Sequence, residues 1–186
     1  MRSIPTLQST KKRGQVGIVD NGGITNFTGT AVHDCWGAYW RFENISHAVC
    51  CAHLLRELIA ASENNPSHIW AKRLSNLLLT MKSAKEKAIE QNQISLKDSH
   101  ISSLEREYDD IMDYANMECP PPDNTEPIKR GKRKKGKERS LIERLIKLKA
   151  SVCLFIHNFA VPFDNNQAER DVRNVKTKSK VSGCFR

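Results

Sequence analysis

No stretch of this chain approaches the roughly 20 consecutive apolar residues that a membrane helix requires, so no membrane-spanning role is expected. The first residues, Met1-Arg-Ser-Ile-Pro-Thr-Leu-Gln8, carry one charge and no long apolar core, which does not fit a secretory signal. The six cysteines, Cys35, Cys50, Cys51, Cys119, Cys153 and Cys184, stand singly or as one adjacent pair, without the spacing of a disulfide framework. Buried, reduced thiols and a cytoplasmic location are therefore expected. No internal repeat is present. A hydrophobic fraction of 39% with 27% charged residues excludes a wholly disordered, collagenous or coiled-coil chain.

What the chain does have is size for one domain, or one domain with an insert, and positive charge. Its 186 residues carry 30 Lys and Arg against 21 Asp and Glu, a formal charge of +9. Such a surplus favours a polyanionic partner and says nothing of which one until it is located. Much of it lies in Lys129-Arg-Gly-Lys-Arg-Lys-Lys-Gly-Lys-Glu-Arg139, where eight of eleven residues are basic and none is apolar. This reads as a solvated loop, or as an arm that neutralises phosphates without reading sequence.

Hydrophobic spacing divides the rest. Residues 15–34 read as short strands: Gln15-Val-Gly-Ile-Val19 is β-rich, Asp20-Asn-Gly-Gly23 is turn chemistry, and Thr30-Ala-Val-His-Asp34 is a second apolar run. After the aromatic stretch Cys35–Phe42, His47-Ala-Val-Cys-Cys51 reads as another brief buried strand. From Ala52 the period becomes helical, with Leu54, Leu55, Leu58 and Ile59 on one stripe. A second stripe runs through Trp70, Leu74, Leu77, Leu78, Met81, Ala84 and Ala88, and a third through Ile101, Leu104, Tyr108, Ile111, Met112 and Ala115. Cys119-Pro-Pro-Pro122 ends the third helix, because proline lacks the amide donor. One more helical stretch runs from Leu141 to Phe159, ending before Val161-Pro162, and a last helix opens at Asp164-Asn-Asn166.

Two acids stand out by context. Asp34 directly follows a short strand, and in open α/β sheets the carboxyl ends of strands face the ligand crevice. Glu169 lies in the first turns of the last helix with Arg170 beside it and Arg173 a turn later. Carboxylates brought together by a fold can hold a divalent metal, since magnesium prefers oxygen ligands. Each acid also has a plain structural reading. Asp34 can cap a short helix, and Glu169, three residues after Asn166, has capping-box spacing. His47, Cys50, Cys51 and His53 have zinc-ligand chemistry but no second pair at finger spacing, so buried packing is the expectation. Arg56 and Glu57 read as a surface pair on their helix.

The runs Val32-His-Asp-Cys-Trp-Gly-Ala-Tyr39, His47-Ala-Val-Cys-Cys-Ala-His-Leu-Leu-Arg-Glu-Leu58, Val161-Pro-Phe-Asp-Asn-Asn-Gln-Ala-Glu-Arg170 and Lys180-Val-Ser-Gly-Cys-Phe-Arg186 together resemble the transposases of insertion-sequence family sixty-six, with matching order from about Lys11 onward. The resemblance implies the C-terminal catalytic portion of a DDE transposase: an α/β, partial ribonuclease-H-like domain with a large helical insertion, helix-rich overall. It implies Asp34 as the second aspartate and Glu169 as the final glutamate, together holding Mg2+ or Mn2+ for phosphoryl transfer on DNA. Lys129, Arg130, Lys132, Arg133, Lys134 and Lys135, with Arg170, Arg173 and Lys176, become the candidate DNA contacts, and Lys178 and Lys180 extend that basic track.

The expected organisation is a leftover N-terminal segment at 1–14, a partial α/β core at 15–60, a helical insertion at 61–116, a Pro-rich and basic linker at 117–137 and closing helices at 138–186. The first DDE aspartate precedes the second by three strands and a helix, on the order of 35 to 40 residues, and the one upstream acid, Asp20, sits in a turn. The chain is therefore expected to be a catalytically deficient fragment that binds the ends of an element, as a homo-oligomer or with an intact transposase. The alternative is a non-catalytic DNA-binding protein that interferes with or regulates an intact transposase.

Overall fold

The computed structural model describes residues 27–122 and 136–166. The expected strand at 15–19, the basic residues Lys129–Lys135, and Glu169, Arg170, Arg173, Lys176, Lys178 and Lys180 lie outside the described residues.

The described chain is helix-rich with a small parallel sheet. Strands β1 (Thr30–His33) and β2 (Ser46–Val49) pair in parallel, with Thr30 opposite Ser46 and His33 opposite Val49. Parallel pairing needs a crossover of about a dozen residues or more. Residues 34–45 supply it, and the aromatic run Tyr39–Arg41 closes a short 3-10 turn within it. A two-stranded sheet is marginal alone. Here Ala48 and Val49 join the main core, packed with Val152, Cys153, Phe155 and Ile156.

Five helices follow: α1 (Cys51–Asn64), α2 (Trp70–Glu90), α3 (Asp98–Glu118), α4 (Lys137–Lys147) and α5 (Lys149–His157). Helix α1 stops where Asn65 precedes Pro66, whose ring disfavours α geometry in the residue before it. Helices α2 and α3 form an antiparallel hairpin. The carboxylate of Glu118, at the far end of α3, accepts the amides of Ile69 and Trp70 at 3.0 Å each and so caps α2 with a negative charge at its positive end. At the other end of the hairpin Asn92 takes a φ of 58°, a left-handed conformation asparagine tolerates.

The buried stripes of α2 and α3 match their spacing, with Trp70, Tyr108 and Ile111 fully enclosed. Three positions differ from expectation. Ile59 is 52% exposed, because only Leu54, Leu58 and Ala61 of α1 face the bundle after Cys51. Lys85 occupies a core position of α2 and is 7% exposed. The single helix expected from Leu141 to Phe159 is broken at Leu148. There the buried Tyr108 hydroxyl donates to the Leu145 carbonyl at 3.1 Å, the acceptor an unbroken helix would offer to position 149.

The ends of the Pro-rich and basic linker are fastened to one end of the bundle. Arg139 Nη1 donates to Asn116 Oδ1 and to the Cys119 carbonyl, both at 2.8 Å. Glu138 accepts from Trp70 Nε1 at 2.6 Å and Asn65 Nδ2 at 2.5 Å, and meets His68 Nδ1 at 2.8 Å.

Candidate functional site

The two strands place their carboxyl ends side by side, because the Cys50 amide donates to the His33 carbonyl at 2.9 Å. Asp34 therefore leaves the sheet beside the start of α1, and its side chain is solvent-exposed. One of its oxygens accepts the Trp36 amide at 3.3 Å, closing a local turn, so Asp34 does not cap the short 3-10 helix, whose N-terminal flanking residue is Ala38.

His33 and His47 brace this end of the sheet. His33 is buried, stacks on Tyr39 at 4.7 Å between centroids and meets Trp40 edge-on at 4.9 Å. Its Nδ1 faces the Asp34 carbonyl at 2.7 Å and its Nε2 faces His47 Nδ1 at 3.0 Å, while His47 Nε2 faces the Phe42 carbonyl at 2.9 Å. Both ends of this chain are acceptors, so bonding all three contacts takes three ring N–H groups where a neutral pair has two. Burial lowers the His33 pKa, opposed in part by its bond to the Asp34 carbonyl. The arrangement ties the crossover's beginning, its 3-10 turn and β2 into one unit around Asp34.

The segment that leads to Glu169 reaches the same place. After α5, the Phe163 carbonyl accepts the Cys51 amide at 3.0 Å, and the Asn165 amide lies 3.3 Å from Cys50 Sγ. Asp164 Oδ1 accepts the Asn166 amide at 3.0 Å, the bond of an Asx turn. The Phe163 ring packs edge-on against Phe155 at 5.1 Å. Cys50 is thus the common neighbour of the strand end that carries Asp34 and of Asn165, which precedes Glu169 in the sequence.

The zinc-type residues do not converge. His47 turns to His33, His53 Nδ1 lies 3.2 Å from Cys50 Sγ, and Cys51 Sγ points into the core toward the Val49 and Val152 carbonyls. Among the described residues no three His, Cys, Asp or Glu side chains are grouped to hold a metal ion. Burial raises the pKa of Cys51 far above the ordinary thiol range and pushes Cys153 up to about 12, so both are neutral packing groups. Arg56 and Glu57 do not pair with each other in the contacts observed. Arg56 bonds the Ala52 carbonyl of its own helix, and Glu57 pairs with Arg144 across on α4.

Between α1 and α4 lies a groove of about 710 Å³, lined by Glu57, Asn64, Asn65, Lys137, Glu138 and Arg144. Lys137, in the described end of the basic run, lines this groove. Spacing did not single out Glu118 or Glu138, whose partners are 48 to 73 residues away in sequence, and it put Arg139 in a solvated run, whereas Arg139 is buried at the start of α4. Lys85 was detectable in principle, since it sits four residues after Met81 and three before Ala88 on an otherwise apolar stripe.

A family model described as the transposase IS66 family matches residues 5–186. The chain belongs to that family, which gives it a role connected with transposition. No curated protein and no solved structure matches the chain. No helix among the described residues is long and apolar enough to cross a membrane.

Proposed function

We propose that the chain acts in DNA transposition as a DDE-type catalytic portion, with a ribonuclease-H-like core in which Asp34 and Glu169 are metal ligands. The observation that supports this reading most directly is the meeting at Cys50. The end of β1, next to Asp34, and Asn165, four residues before Glu169, are hydrogen-bonded to one residue, although 115 positions separate Cys50 from Asn165. Asp34 is a hard oxygen ligand, exposed at a strand end, and suits Mg2+ or Mn2+. A pair of such ions, when bound, supplies activation of an attacking hydroxyl and stabilisation of the leaving oxygen in phosphoryl transfer.

The chain's own residues do the rest. The histidine pair and the Trp36 amide fix the backbone and carboxylate of Asp34, which removes ordering cost from ligand binding. Lys129, Arg130, Lys132, Arg133, Lys134 and Lys135 form a phosphate-binding arm whose flanks are fixed by Arg139 and Glu138. Arg170, Arg173 and Lys176 extend the backbone contact beside Glu169. The partners are the ends of the element, together with a second copy or an intact transposase. With Asp34 and Glu169 as its acidic pair, the chain by itself binds DNA and cleaves it poorly.

Iron-directed protein cleavage tests the pairing. Fe2+ with ascorbate, substituted for magnesium, generates radicals that cut the backbone near the bound ion. Cuts clustered at residues 33–36 and 164–170, suppressed by excess Mg2+ and by either Asp34→Asn or Glu169→Gln, are expected. Cuts at one of these segments without the other would refute the shared site.

A further inference from the structure

We infer that Lys85 is a positioning residue: from the middle of α2 it holds the Val161–Phe163 turn, and through that turn the segment that delivers Glu169. The inference rests on the reading of Glu169 as a ligand and assigns part of its placement to the block of helices expected as an insertion.

The ammonium of Lys85 is enclosed, with the residue 7% exposed, and Nζ donates to the Val161 carbonyl at 2.6 Å. It also lies 5.5 Å from the centre of the Phe159 ring. One turn earlier on the same helix, Lys82 Nζ sits 5.6 Å from the Phe163 ring centre. Two successive turns of α2 thus grip the aromatic residues on either side of Val161-Pro162. Enclosing an ammonium is costly unless it is well compensated, and an unbranched apolar chain such as methionine would fill the same channel without that cost. Burial lowers the Lys85 pKa, which records the same penalty.

The turn has need of such an anchor. Pro162 has no amide to donate, so its backbone is held through carbonyls. Downstream, Asn165 is tied to a thiol sulfur, a weak acceptor, and Asn166 to Asp164 within its own turn. Two bonds in the set are charge-assisted, Lys85 to the Val161 carbonyl and the Asn166 amide to Asp164, and of the two the Lys85 bond ties the turn to another element. Moving the Val161 carbonyl moves the Phe163 carbonyl that receives the Cys51 amide, and with it the register of everything that follows.

The test compares the full chain with Lys85→Met, Lys82→Ala and Glu169→Gln by amide hydrogen exchange, thermal melting and Mn2+ binding measured by electron spin resonance. Lys85→Met is expected to keep a cooperative melt and the exchange protection of α2 and α3. Exchange of the Asn165 and Asn166 amides should speed by about tenfold or more, the scale of one charge-assisted hydrogen bond. Mn2+ affinity should fall by about tenfold, as for residues that orient a metal ligand. Unchanged exchange at 163–166 in a folded Lys85→Met chain would overturn the inference. Should Lys85→Met fail to melt cooperatively, Lys82→Ala decides. Its side chain is 39% exposed, so faster exchange at 163–166 supports the grip and unchanged exchange refutes it. If Glu169→Gln leaves Mn2+ binding intact, the reading of Glu169 fails, and the grip is judged on the exchange rates alone.

Discussion

At the scale of single residues, burial lowers the pKa of His33 and raises those of Cys35, Tyr39 and Cys51 near the strand ends. Cys50, Cys51 and Cys153 are fully enclosed, while Cys35 and Cys119 are partly exposed. Brief treatment of the native chain with iodoacetamide is therefore expected to label Cys35 and Cys119 before Cys50, Cys51 and Cys153, which should be spared until denaturant is added, as peptide mass mapping would show. Labelling of Cys51 in the native chain would mean that the junction of β2 and α1 opens. The pH dependence has a definite sign. Burial raises the folded-state pKa of Cys153 from 9.0 to about 12, so the folded chain keeps a proton that the unfolded chain gives up. Stability from this group is complete below about pH 9 and is lost as pH rises toward 12. Denaturant melts between pH 8 and 11 should show a shallower alkaline loss in Cys153→Ala than in the parent chain, whatever the mutation costs at neutral pH.

At the scale of elements, spacing revealed the helices and concealed what joins them. Leu54 and Leu58, Trp70 through Ala88, and Ile101 through Ala115 lie inward because a 3.6-residue period leaves one stripe to bury, and that information is local. The break at Leu148 was not legible, since the Leu145 carbonyl just before it is taken by the Tyr108 hydroxyl, 37 positions away from Leu145. The cap of α2 by Glu118 was hidden for the same reason, its donors being 48 and 49 residues away. Glu118→Ala should cost about 1 kcal/mol, the usual worth of a cap, and calorimetry of the two chains would measure it. A chain that melts unchanged would show that water serves those amides equally well. The basic run makes a separate prediction, because phosphate contacts release counterions. Replacing Lys129, Arg130, Lys132, Arg133, Lys134 and Lys135 with serine should flatten the slope of log K against log salt for duplex DNA by up to about 5, as fluorescence anisotropy titrations would read. A slope that does not change would move the DNA contact elsewhere.

At the scale of the whole molecule, a small parallel sheet and a helical bundle share one core, and the candidate site lies where they meet. Asp34 was legible as a candidate because a strand end followed by an acid is a local pattern. The resemblance of the Val161–Arg170 run to a transposase family, now matched over residues 5–186, pointed to Glu169. Neither source could show that Cys50 connects the two approaches, because that contact exists only after the chain has folded over 115 residues. The proposed chemistry requires the two carboxylates to act on one cation. The direct measurement is a double-mutant cycle in Mn2+ affinity, by electron spin resonance, over the parent chain, Asp34→Asn, Glu169→Gln and the double variant. Ligands of one ion are expected to be coupled, so that each single change loses nearly as much affinity as both together. Losses that simply add, or no loss in one of the single variants, would contradict the account.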